Sequence, residues 1–242
     1  FKNIKKIAIN KKLKLHTLND EKNNLELLSH NFKGEGQFLR IKLNSSIRDI
    51  NLNLIGKIQL KNVLMAIIAA KYSGISLDKI LNTIPKLKPV EGRFEKIGKI
   101  KNQSKVILDY AHTPDALKKI LLSQTINKKK PSLVFGCGGD RDKSKRKIMA
   151  LVAHKYANKV YVTDDNPRYE DPSKIRKEIL NYCKKGVEFS SRKKAIFYAI
   201  TNIDQKEILV IAGKGHEKFQ IFKNKKVAFD DYKIAEKIVK NL

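Results

Sequence analysis

From Val106 onward, hydrophobic and polar positions fall into a repeating order. Four short, β-rich apolar runs, Val106–Leu108, Leu133–Phe135, Val160–Thr163 and Ile208–Ile211, are each followed by a turn carrying Gly, Asp, Asn or Pro. Between them lie stretches of helical character: Pro114–Ser123, Lys145–Tyr156, Pro172–Tyr182 and Arg192–Thr201. Strands too short for helices, alternating with helix-length segments, predict an α/β fold with a doubly wound, mostly parallel sheet. In such sheets ligands bind at the carboxyl ends of the strands, where this sequence places its least ordinary turns.

Upstream the pattern is different. Residues 1–55 read as short alternating strands separated by polar turns, such as Gln37–Leu43 (QFLRIKL) and Ile50–Leu54 (INLNL). Gly56 leads into Asn62–Ala70 (NVLMAIIAA), a run that continues to Tyr72 and suits a buried helix stopped by Gly74. A second helix, Leu77 to about Ile84, is followed by Pro85 and Pro89. The change of pattern predicts a boundary near Val90, with residues 1–90 in one domain and 91–242 in the other.

Composition narrows the picture less than the pattern does. With 242 residues, 41% of them hydrophobic, one large core or two modest ones can form. No run of 18 apolar residues suggests a membrane span. The opening FKNIKKIAINKKLKL is basic but lacks the apolar core of a secretory signal. Cys137 and Cys183 are the only cysteines, neither has metal-ligand spacing, and a reducing, cytoplasmic compartment is the expectation. The net charge of +28 raises a nucleic-acid partner. However, the excess is mostly lysine spread along the chain with abundant Asn and Ile, as AT-rich coding produces. No recognition helix, zinc-finger spacing or RNP-like aromatic run accompanies it, so no nucleic acid is expected.

Candidate chemistry sits in four segments. In Asp109-Tyr110-Ala111-His112-Thr113-Pro114, Pro114 suits a first helical turn, Asp109 can accept from sugar hydroxyls or cap the helix, and His112 can donate to phosphate. Phe135-Gly136-Cys137-Gly138-Gly139-Asp140-Arg141-Asp142 combines a bare backbone with a charged cluster. In Asp164-Asp165-Asn166-Pro167-Arg168, Arg168 offers a planar fork for a carboxylate, and Asn166 can both donate and accept; a solvated Asx-Pro turn is the plainer alternative. Ala212-Gly213-Lys214-Gly215-His216-Glu217 lacks the GxxxxGK[ST] spacing of a phosphate loop, and Glu217 reads as a carboxylate awaiting an ammonium. Two arginines for carboxylates and one glutamate for an amine would suit a zwitterionic amino acid.

These segments, with GRFE (Gly92–Glu95), occur as DYAHTPDAL, FGCGGDRDKSKR, TDDNPR and AGKGHE, in an order that resembles the C-terminal domain of the Mur ligase family. The resemblance covers residues 92 to about 232. Upstream, Gly56–Ala70 is similar to the helix that closes the family's central, ATP-binding domain, with Gln59 departing from the usual Asn. It implies that residues 1–90 are the tail of that central domain. The family's P-loop, carbamylated lysine and uridine-nucleotide domain would lie upstream of these residues. The chain is therefore expected to be a fragment that alone neither hydrolyses ATP nor ligates.

What the resemblance implies is specific. The reaction would be ATP-dependent addition of meso-2,6-diaminopimelate to UDP-MurNAc-L-Ala-D-Glu in peptidoglycan synthesis, through an acyl phosphate and with Mg²⁺. Asn62, Arg93, Asp109 and His112 would serve ATP. Arg141, Asp165, Asn166, Pro167, Arg168, Gly213 and Glu217 would hold meso-diaminopimelate. Lysine-adding relatives carry another residue at the Arg168 position. A buried arginine left unpaired by lysine would cost on the order of 2–5 kcal/mol, or roughly thirty- to several-thousand-fold in preference. A monomer is the expectation. The alternatives are a non-catalytic amino-acid- or nucleotide-binding fragment and a basic nucleic-acid-binding module.

Overall fold

The computed structural model describes residues 2–18, 25–33, 36–43, 46–54, 56–100, 103–125 and 127–242. The chain divides into two compact units, Phe1–Pro89 and Val90–Leu242.

The first unit opens with helix α1 (Lys2–Asn10), where alternating strands are expected from the sequence. Ile4, Ile7 and Ala8 recur at helical spacing, and of these only Ala8 is buried. The strand expectation holds further on, in an antiparallel meander of β1 (Leu25–Lys33), β2 (Gly36–Leu43) and β3 (Ser46–Leu52). Leu39, Ile41, Ile50 and Leu52 alternate inward from β2 and β3 and pack with Leu60, Val63, Leu64 and Ile67 of helix α2 (Lys57–Tyr72). Helix α3 (Leu77–Thr83) adds Ile80, and a 3-10 turn (Ile84–Lys86) adds Ile84.

The second unit is a six-stranded sheet in the order β4-β5-β9-β6-β7-β8. Its strands are β4 (Glu95–Lys99), β5 (Lys105–Asp109), β6 (Ser132–Phe135), β7 (Val160–Val162), β8 (Gly186–Glu188) and β9 (Ile208–Ala212). Only edge strand β4 is antiparallel to its neighbour; the other pairings are parallel. Side-chain alternation sends Ile107 to one face, against α4 (Pro114–Ser123), α5 (Ser144–Tyr156) and α6 (Pro172–Tyr182). Val106 and Leu108 point to the other face, against α7 (Arg192–Thr201) and α8 (Asp231–Lys240). The buried strands are continuously apolar because helices cover both faces. A hairpin, β10 (Phe219–Phe222) and β11 (Lys225–Ala228), follows β9.

Candidate functional site

The register aligns the carboxyl ends of four neighbouring strands. Asp109 pairs with Ala212, Val134 with Ile211, and Phe135 with Val162. The turns after β5, β9, β6 and β7 therefore emerge side by side, at the edge where open parallel sheets bind ligands. Backbone bonds stitch them together: Gly213 N donates to Asp109 O at 3.1 Å and Gly139 N to Asn166 O at 2.9 Å.

The glycines of the β6 turn allow this closeness. A Cβ on Gly136 would lie 2.1 Å from Thr163 O, and one on Gly139 would lie 2.0 Å from Pro167 O. Over Gly138 two arginines converge, because a Cβ there would meet Arg168 Nη1 at 2.9 Å and Arg141 Cγ at 3.9 Å. Arg141 is exposed and has no ion pair or hydrogen bond among the described residues. Arg168 is half-buried with φ 53°. Its Nη1 donates to Gly139 O (2.8 Å) and Asn166 O (3.3 Å), and its backbone bridges to the β10–β11 hairpin through Ile221 O and Lys223 N. Pro167 is buried beneath it, and Asp165, also buried, accepts from Asn166 N at 2.7 Å.

Asn166 and Glu217 are already linked by a residue that sequence reasoning passed over. Lys214 is fully buried, and its Nζ donates to Asn166 Oδ1 and to Glu217 Oε2, both at 3.0 Å. Asn166 Nδ2 also donates to Glu217 Oε2, at 2.9 Å. Burial works to raise the Glu217 pKa, but the Lys214 and Asn166 hydrogen bonds and the Lys214 and Arg168 charges overcome it and hold the carboxyl below its ordinary value. The ammonium that Glu217 was expected to await is thus partly supplied from within the chain. Gly213, at φ 109°, brings the loop so close that a Cβ would meet Asp165 Oδ2 at 2.8 Å.

On the β5 side, Asp109 accepts from Phe94 N (2.8 Å) and Ala111 N (2.9 Å), so it braces the GRFE turn rather than capping α4. Burial raises its pKa despite those two donors. Thr113 is the cap, accepting from Ala116 N. His112 is exposed, with Nδ1 2.9 Å from Tyr110 O. Arg93 is exposed and lies over the Tyr110 ring at 4.2 Å. Tyr110 also faces His112 and His216, with ring centroids 4.5 and 5.2 Å away. Asn62 belongs to the first unit, where it is exposed and donates to Gln59 at 3.4 Å.

Beneath the site lie ion pairs with no local sequence signal. Glu170 accepts from Arg146 and from Asp140 N, and these bonds hold its pKa at about 2, Arg146 contributing most. Fully buried Arg192 pairs with Asp231 and donates to Ala212 O at 2.9 Å, fixing the base of the AGKGHE turn.

The family described as "Mur ligase, glutamate ligase domain" matches residues 92–215. The chain is 41% identical over 224 residues to UDP-N-acetylmuramoyl-L-alanyl-D-glutamate--2,6-diaminopimelate ligase of Rickettsia conorii, covering 90% of this chain and 46% of that protein. It is 43% identical over 195 residues to the protein of that name from Buchnera aphidicola, covering 78% and 38%. A solved structure of a ligase with the same name superposes with a TM-score of 0.62 at 30% identity, covering 93% of this chain and 47% of that one. A Mycobacterium tuberculosis folylpolyglutamate synthase, at 18% identity and a TM-score of 0.65, shares the fold. The chain spans about half the length of the curated relatives it matches.

Proposed function

Because the chain belongs to the Mur ligase family, we propose that it supplies the amino-acid-binding part of an ATP-dependent ligase that joins meso-diaminopimelate to UDP-MurNAc-L-Ala-D-Glu. The relatives' names motivate the substrates, and the placement of Arg168 Nη1 and the Arg141 side chain beside Gly138, with Glu217 held by Asn166 of the same turn as Arg168, carries the reading. Residues 1–90 would be the tail of the ATP-binding domain.

The reaction in this reading activates the D-glutamyl carboxylate as an acyl phosphate. The meso-diaminopimelate amine attacks, the C–N bond forms, and phosphate and a proton leave. The chain's contribution is positioning, since holding an amine against an activated carbonyl replaces a bimolecular encounter. Arg168 would take the distal carboxylate with its Nε–Nη2 edge, which makes no hydrogen bond among the described residues. Arg141 would serve the other carboxylate, and Glu217 an ammonium. Asp165 and Pro167 shape the turn that aims Arg168, and Gly213 leaves room above Asp165.

ATP would meet Asp109, Arg93 and His112 in this unit; for Asn62, in the first unit, a nucleotide role rests on the family resemblance alone. Asp109 retains lone pairs for ribose hydroxyls beyond its two backbone bonds, and exposed Arg93 and His112 can face phosphate. ATP supplies the phosphoryl group. Mg²⁺ is the expected companion of its phosphates, but among the described residues no three His, Cys, Asp or Glu side chains form a metal cage, so the described residues do not enclose one by themselves.

Calorimetric titration of the chain with meso-diaminopimelate, L-lysine and D-glutamate tests the proposal. Preferential binding of meso-diaminopimelate is expected. Equal affinity for L-lysine, or no binding of any of the three, would contradict it.

A further inference from the structure

Lys214 stands in a glycine-flanked turn where a lysine would ordinarily reach solvent or a phosphate. Instead it is fully buried, and its ammonium donates to Asn166 Oδ1 and Glu217 Oε2. Its Nζ also lies over the Phe219 ring, 5.8 Å from the ring centre. Burying a lysine is costly unless it is paired and hydrogen-bonded. A residue that only closed a turn would not require this.

The amide of Asn166 shows what the lysine does. Asn166 Oδ1 accepts from both Lys214 Nζ and Ile221 N, at 3.0 and 3.1 Å. An amide flip would put an NH₂ against two donors, so the orientation is locked. Nδ2 must face Glu217 Oε2, at 2.9 Å, with its second hydrogen left to offer. The ambivalence of asparagine, able to serve carboxylate or ammonium, is thereby removed, and only a donor remains for a ligand.

We propose that Lys214 is a positioning residue of the amino-acid site: it locks Asn166 as a donor for a ligand carboxylate and pins Glu217 as an ionised acceptor for a ligand ammonium. This rests on the amino-acid-ligase reading above. Glu217 faces Lys214 on its own turn, Asn166 and Arg168 on the turn after β7, Tyr110 after β5, and Arg192 at the start of α7. Burial alone would lift the Glu217 carboxyl above its ordinary value, and Lys214 makes the leading contribution that reverses the shift. Without the lysine, Glu217 would take up a proton at a higher pH than in the unmodified chain and would stop accepting from an ammonium there.

The test is Lys214→Met in the full chain, with meso-diaminopimelate binding measured by calorimetry from about pH 8 to about pH 5. At neutral pH the variant should bind roughly ten- to a hundred-fold more weakly, as expected for losing hydrogen bonds that involve a charge. Its affinity should then fall further toward pH 5, relative to the unmodified chain. Every titratable group other than Lys214 and Glu217 is common to the two proteins in sequence and place, so the difference between the two profiles reads Glu217. Lys214→Arg, which keeps the cation, should restore the profile of the unmodified chain. A uniform loss across pH would overturn the proposal, since a structural defect has no reason to titrate.

A second measurement needs neither ligand nor variant. In the unmodified chain, carbon-13 NMR should show the Glu217 carboxyl titrating below the ordinary glutamate value, and a value at or above it would overturn the proposal. Should the chain bind no meso-diaminopimelate while Glu217 titrates low, the substrate reading fails and the role of Lys214 in ordering Asn166 and Glu217 stands.

Discussion

Replacing Arg168 with alanine perturbs the group proposed to distinguish meso-diaminopimelate from lysine, two ligands that differ in one distal carboxylate. The structure changes the expected size of the effect. Arg168 is half-buried, not sealed in a core, and Nη1 is committed to Gly139 O and Asn166 O. The Nε–Nη2 edge remains, a fork that fits one carboxylate. A hydrogen-bonded contact to a charged group is worth about 1.5–3 kcal/mol net, which corresponds to roughly ten- to 150-fold in affinity. That range is shifted downward from the one expected for a fully buried arginine, because water can solvate the guanidinium when lysine is bound. The assay is calorimetric dissociation constants for both amino acids with the unmodified chain, Arg168→Ala and Arg168→Lys. Arg168→Ala also cuts the tether to Gly139, but that damage should weaken both ligands alike. Loss of the selector should weaken meso-diaminopimelate alone, and Arg168→Lys, which keeps charge without the fork, should fall between. A preference unchanged within a few-fold, or parallel loss of both ligands, would refute the reasoning.

Other consequences follow from the same geometry. Glu170 titrates at about 2 in the folded chain, so its stabilisation is complete above the ordinary carboxylate value and is lost as pH falls toward about 2. The melting-temperature gap between the unmodified chain and Glu170→Gln should be constant above about pH 5 and close below it; a gap independent of pH would count against the pairing. Gly139→Ala should lower the melting temperature and abolish amino-acid binding, because its Cβ would meet Pro167 O, a backbone atom, at 2.0 Å; retained stability and binding would show the loops are not so close. Asp109→Ala leaves Phe94 N and Ala111 N without acceptors. In urea unfolding it should cost about 1–3 kcal/mol, and it should weaken nucleotide binding far more than amino-acid binding; an unchanged nucleotide affinity would remove Asp109 from the ATP site. Cys137 and Cys183 are buried, and burial pushes the Cys137 thiol up to about 12. Neither should react with a disulfide reagent until the chain unfolds, and rapid labelling of the native chain would contradict their burial.

The parallel sheet was legible because its signals are local. Runs such as Leu133–Phe135 and Ile208–Ile211 are buried on both faces, and the turns after them carry residues whose backbone needs are readable one at a time. Elements with weaker patterns escaped notice. Strand β8 is three residues at an edge, largely exposed; strands β10 and β11 hold few buried side chains; α1 buries only Ala8. Within the site, residue types were legible but pairings were not. Lys214 meets Asn166 across 48 positions, and Arg192 meets Asp231 across 39. Such contacts depend on strand order, which no local pattern encodes. Glu217 was read as an open carboxylate although Lys214 stands three residues away in the same turn; what the sequence did not reveal is that this lysine is buried and turned inward.

The most direct measurement of the central claim is a crystal structure of this chain with meso-diaminopimelate bound. The account predicts the ligand over Gly138, its distal carboxylate within hydrogen-bond reach of Arg168 and an ammonium against Glu217. A ligand elsewhere on the chain, or one at this site with an ammonium toward Arg168, would contradict it.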